Sequence, residues 1–98
     1  MLPFGKYFGQ NPIKTLRLKL NLKQDEFAEV LGKELDKNLT KKDISRWENC
    51  EHLPRNEVLI TMANLGSLNP QKFIQEVKDH YVTYNELIGR KRKYATNN

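Results

Sequence analysis

The chain has 98 residues, with 17 Lys and Arg against 12 Asp and Glu, a formal net charge of +5 and 38 % hydrophobic residues. That length supports one small domain around one modest core and excludes a second domain of separate function. One cysteine, Cys50, excludes an internal disulfide, and one thiol with two histidines is too small a ligand set for a structural metal. No cofactor is expected. The basic excess favours a polyanionic partner, because each phosphate contact releases condensed counterions. No stretch approaches the roughly 20 apolar residues of a membrane span. The first residues lack the apolar run of a secretory signal, so a reducing, cytoplasmic setting is expected.

Residues 1–11 hold Pro3, Gly5 and Gly9, which discourage a regular helix. They read as an arm whose Phe4 and Phe8 pack on the core rather than touch nucleic acid, since Lys6 is the arm's one basic residue. Asn11 followed by Pro12 is a helix start: a capping side chain, then proline at the first helical position. The first helix runs to about Leu20, with Ile13, Leu16 and Leu20 on one face and Lys14, Arg17 and Lys19 facing out. The second begins near Lys23 or Gln24, where Asp25 and Glu26 complement the helix dipole. Phe27, Val30, Leu31 and Leu35 form its apolar face. Gly32 interrupts that face, and the helix either ends there or passes through to Leu35 before the breaker Asp36-Lys37-Asn38.

Thr40 is the N-cap candidate of the third helix, Lys41-Lys42-Asp43-Ile44-Ser45-Arg46-Trp47-Glu48. Ile44 and Trp47 stand three residues apart on one face. Lys41, Lys42, Ser45 and Arg46 point elsewhere. A short helix with one buried stripe and a basic outer edge suits insertion in a DNA groove. The fourth helix spans about Asn56 to Leu65, with Gly66 as the residue just past its end. Asn69 and Pro70 repeat the start signal, and a long fifth helix follows to about Ile88, stopped by Gly89. Ile74, Val77, Tyr81, Tyr84 and Ile88 recur at steps of 3, 4, 3 and 4, a two-heptad seam. Phe73, Ile74 and Val77 can fold over the monomer's own core, but Tyr81, Tyr84 and Ile88 lie so far out that the seam predicts pairing with a second copy of the chain. Residues 90–98 are a basic, then polar, tail. No strand is expected. The fold class is all-α: a compact five-helix domain with an extended C-terminal helix, divided into arm 1–11, DNA-binding domain 12–68, dimerisation helix 69–89 and tail 90–98.

Residues 13–66 resemble the lambda-repressor/Cro-like helix-turn-helix family. The likeness rests on Leu16-Arg17, on the run from Leu22 to Gly32 with its Gln24, Ala28 and Gly32, on Ile44-Ser45-Arg46-Trp47-Glu48-Asn49, and on Pro54 with the stretch from Leu59 to Gly66. The resemblance implies that Gln24 bonds a phosphate at the start of the second helix. It implies that Thr40 caps the third helix near a phosphate, that Lys41, Lys42 and Arg46 meet base edges with Ser45 near a base or the backbone, and that Asn49 and Arg55 approach the sugar-phosphate chain. Ile44 and Trp47 are then core. Four departures stand out. Residues 33–38 add about six positions before the third helix, and Cys50 stands where the family often has glycine. Lys23 replaces the usual small N-cap of the second helix, and Glu51 brings negative charge to a loop expected near phosphate. The implied partner is double-stranded DNA, read by a homodimeric repressor of a bacterial, plasmid or phage promoter. The alternatives are an antitoxin-like protein that also holds a toxin, and a scaffold for protein contacts. No nucleophile–base pair, phosphate loop or metal cluster points to an enzyme.

Overall fold

The computed structural model describes residues 10–89. Within them the chain forms α1 (Pro12–Lys19), α2 (Gln24–Leu35), α3 (Lys41–Glu48), α4 (Asn56–Leu65) and α5 (Pro70–Ile88), with no strand among the described residues. The arm contacts expected of Phe4 and Phe8, and the basic run from Arg90 to Lys93, lie outside the described residues.

The helix starts follow from capping chemistry. Asn11 Oδ1 accepts from the backbone N–H of Ile13 at 2.8 Å and of Lys14 at 3.4 Å, and Asn69 Oδ1 accepts from that of Lys72 at 2.9 Å. Each satisfies donors that the first helical turn leaves unpaired. In α2 the Glu26 carboxylate reaches back to the Lys23 N–H at 2.8 Å, which substitutes for a capping side chain on Lys23. All five helices place side chains in one core: Ile13 and Leu16, Phe27, Ala28 and Leu31, Ile44, Val58, Leu59, Met62 and Ala63, Phe73 and Val77. Helix α2 packs on α3 and α4, α1 packs on α3 and α5, and α4 packs on α5.

The residues added before α3 are absorbed locally. Helix α2 passes through Gly32 and ends at Leu35, and Asp36 turns the chain in a left-handed conformation (φ 55°). The chain then folds back over the last turn of α2. A side chain on Gly32 would sit 2.6 Å from the Lys37 carbonyl oxygen. Lys37 Nζ meets Glu57 Oε2 at 2.6 Å, fastening the turn to the start of α4. That hydrogen bond, reinforced by the lysine charge, holds the Glu57 carboxyl below the usual glutamate range.

Three expectations are corrected. Arg17 does not face out but is 7 % exposed. Gly66 ends α4 with φ −94°, and the left-handed residue is Ser67. Gly66 is small because an added side chain would overlap Leu16 Cδ1. The third concerns the α5 seam. Val77 is 3 % exposed within the chain's own core, Ile74 is partly buried against it, and Tyr81 and Tyr84 are half-buried. The first two members of the stripe, Ile74 and Val77, are thus laid against the chain's own domain. Ile88, at 49 % exposure, is the one seam residue that overhangs it.

Gly32→Ala should destabilise the domain by about 1–3 kcal/mol, the usual penalty for forced overpacking, although alanine is the better helix former. The clash is with backbone, so no rotamer relieves it. Urea unfolding followed by circular dichroism measures the difference.

Candidate nucleic-acid interface

Helix α3 has 8 residues, about 12 Å of rod at 1.5 Å per residue. Its inner face carries Ile44, fully buried, and Trp47, half-buried against the core. Its start is organised by Asp43, whose Oδ2 accepts from the Thr40 N–H at 2.9 Å and the Thr40 hydroxyl at 3.3 Å. Thr40 occupies the N-cap position with extended backbone, as expected, but the side-chain bonds there run to Asp43.

The outer edge carries Lys41, Lys42 and Arg46, all exposed, and none of these side chains has a hydrogen bond or ion pair among the described residues. Two lysines in the first turn oppose the helix dipole, which favours anions there. Ser45 is half-buried, and Asn49 is exposed, its Nδ2 donating to Ser45 Oγ at 3.3 Å. Arg55 is exposed at the N-cap of α4. Lys41, Lys42, Ser45, Arg46 and Asn49 therefore fall on one short rod. Thr40 precedes it, and Arg55 stands apart at the start of the next helix.

Gln24 sits differently. It opens α2 half-buried, and its Nε2 donates to Glu48 Oε1 at 3.0 Å. One amide hydrogen is thereby committed inside the protein, and the amide carries a second. Glu48 also receives Arg17 Nε at 2.6 Å and Arg17 Nη2 at 3.2 Å, while Arg17 Nη1 donates to the Leu22 carbonyl at 2.8 Å. The Arg17 and Glu48 side chains are 9 % and 5 % exposed. This forked ion pair ties α1, the α1–α2 turn, α2 and α3 together directly behind the basic edge. Sequence reasoning missed it. The signal lay in spacing: Arg17 follows Ile13 by four positions, the helical repeat that returns to the buried face.

The end of α3 is a left-handed turn. The Cys50 N–H donates to the Trp47 carbonyl at 3.2 Å and the Glu51 N–H to the Arg46 carbonyl at 2.9 Å, the paired bonds of a Schellman cap. Cys50 takes the position that favours glycine, with φ 59°. Such a conformation costs a non-glycine residue about 1–3 kcal/mol and persists where neighbours over-determine it. Here the thiol is 2 % exposed, and Asn11 Nδ2 donates to Cys50 Sγ at 3.5 Å. Gln24, Asn49, Lys14 and His80 share the lining of a polar recess of about 280 Å³ beside this turn.

Among the described residues no group of three or more His, Cys, Asp or Glu is placed to hold a metal ion, and no helix is long and apolar enough to cross a membrane. A family model described as helix-turn-helix matches residues 13–73. No curated protein and no solved structure matches the chain.

Arg17→Met should cost about 3–5 kcal/mol, because it leaves the Glu48 carboxylate buried without its cation. Replacing both members, Arg17→Met with Glu48→Leu, should recover most of that loss. Thermal unfolding of the three proteins tests the comparison.

Proposed function

The chain belongs to the lambda-repressor-like helix-turn-helix family of DNA-binding regulators, and from that premise we propose that it is a sequence-specific transcriptional regulator, a homodimeric repressor that occludes a promoter by binding an inverted repeat in double-stranded DNA. The observation that carries the proposal is the basic edge of α3. Lys41, Lys42 and Arg46 are exposed and unpaired among the described residues, on a helix whose opposite face is locked by Ile44 and Glu48.

The roles follow from chemistry. Arg46 pairs with the O6 and N7 acceptors of guanine, and Lys41 and Lys42 bond the same class of acceptor or an adjacent phosphate. Asn49, Ser45, Thr40 and Arg55 position the rod through the sugar-phosphate chain, which fixes register without reading sequence. Gln24 contributes its remaining amide hydrogen to a phosphate at the start of α2, where the helix dipole favours an anion.

Two-fold pairing of the protein matches two half-sites about one duplex turn apart. Ile74 and Val77 are occupied within the monomer, so the dimer contact we propose lies at the free end of α5. There Leu87 and Ile88 are 54 % and 49 % exposed, with Val82 at 48 % one to two turns earlier. The same end serves an antitoxin-like reading, in which a toxin takes the place of the second copy.

Selection of binding sites from random duplexes tests the proposal. A two-fold symmetric consensus is expected, and equal, weak binding of all sequences at physiological salt would sink it. Arg46→Ala should relax preference at one position per half-site, a loss of about 1–3 kcal/mol of discrimination. Sedimentation without DNA should show a dimer that Ile88→Glu dissociates; a monomer that co-purifies with a second protein favours the antitoxin-like reading.

A further inference from the structure

A buried side chain of the C-terminal helix bonds the turn that closes the DNA-reading helix. Asn85 of α5 is 4 % exposed. Its Nδ2 donates to the Cys50 carbonyl at 3.1 Å and to the Tyr81 carbonyl one turn back in its own helix at 2.7 Å. Two carbonyl acceptors on the same atom fix the amide's orientation, since only the nitrogen end can serve both. The other end, Oδ1, is buried with no hydrogen-bond partner. A buried acceptor left unmade is a stability loss that offsets part of the gain from the two donated bonds. The gain in bonding alone is therefore not what distinguishes asparagine at 85.

What distinguishes it is the group the amide holds. The Cys50 carbonyl belongs to the left-handed residue that closes α3, between Asn49 and the Glu51 N–H that caps the Arg46 carbonyl. Helix α5 is itself a fixed reference, seated in the core by Phe73 and Val77. Asn85 thus ties the exit of a short helix to a long anchored one. We propose that Asn85 is a positioning residue for DNA reading: by holding the Cys50 carbonyl, it sets the orientation of the last turn of α3, which presents Arg46 and Asn49. The proposal rests on the DNA-reading function above. It makes α5 a part of the reading apparatus as well as the end that carries the exposed Leu87 and Ile88.

The test compares wild type with Asn85→Leu and Asn85→Ser. Serine donates to the carbonyl one turn back as helical serines do and is too short to reach Cys50. Two measurements are made where circular dichroism shows native helix content. The first is amide hydrogen exchange without DNA. Protection at Cys50, Glu51 and His52 should fall in both variants while protection in α2 and α4 is kept. The second is affinity for the duplex selected by wild type and for a scrambled duplex. Specific binding should weaken about tenfold, comparable to one lost base contact, with scrambled-duplex binding unchanged. Unchanged exchange at the turn, unchanged specific affinity, or equal losses on both duplexes would overturn the proposal. So would failure of both variants to fold, which would make Asn85 a stability residue. If wild type itself prefers no duplex, the DNA-reading function fails, and the exchange measurement still decides whether Asn85 holds the turn.

Discussion

A helix of 8 residues does not hold itself in water, because too few hydrogen bonds follow its nucleation. Helix α3 exists because its neighbours hold it, and its functional orientation is theirs. At its start Asp43 closes on Thr40; in its middle Ile44 is fully buried; near its end Glu48 is gripped by Arg17 and Gln24; beyond it Cys50 is held in a left-handed turn. Each anchor leaves the opposite edge untouched. The basic side chains are therefore presented by a rod that is fixed along its whole length, although none of them is fixed individually.

The forked pair between Arg17 and Glu48 is the anchor whose chemistry is least expected from composition. A buried ion pair loses hydration on both partners, and an apolar pair of equal volume is often as stable. Its contribution is direction. Arg17 makes three hydrogen bonds to two different elements, and Glu48 receives from two different helices. Such a set has one geometry, whereas an apolar contact between the same helices tolerates sliding. The same logic applies to the Asn85 amide. Both are polar groups kept inside a small core where apolar packing would be about as stable, and both terminate on α3 or the turn that follows it.

The helix starts and stops were legible because capping is local: Asn11 with Pro12, Asn69 with Pro70, and Gly89 each act within a few residues of themselves. Lys41, Lys42 and Arg46 as an exposed edge were legible from the spacing of Ile44 and Trp47. What escaped was whatever depends on distant partners. The charge of Arg17 predicts a solvent-facing side chain while its helical position predicts a buried one, and the partner that decides between them stands 31 residues away. Gly66 reads locally as a turn residue, whereas a side chain there would overlap Leu16, 50 residues away. The α5 stripe was read as an intermolecular seam because apolar periodicity records that a face is covered, not by what. Ile74 and Val77 are covered by the domain's own core, Tyr81 and Tyr84 are half-buried, and Ile88 is exposed. Whether 33–38 ends α2 or extends it was undecidable without seeing Lys37 meet Glu57.

The charge on α3 separates folding from function within one helix. Lysines at its first two positions face the positive end of the helix dipole. The single acid in its first turn, Asp43, is turned back to cap Thr40 rather than to neutralise them. A sequence selected for stability alone would place acids at 41 and 42, where they would gain from the dipole. Cations there gain only when a polyanion supplies the missing charge. A bound duplex does so, and the unfavourable arrangement in the free protein becomes part of the favourable free energy of the complex. Among the described residues these ammonium groups have no internal competitor, so that none must break an ion pair there before it meets a polyanion.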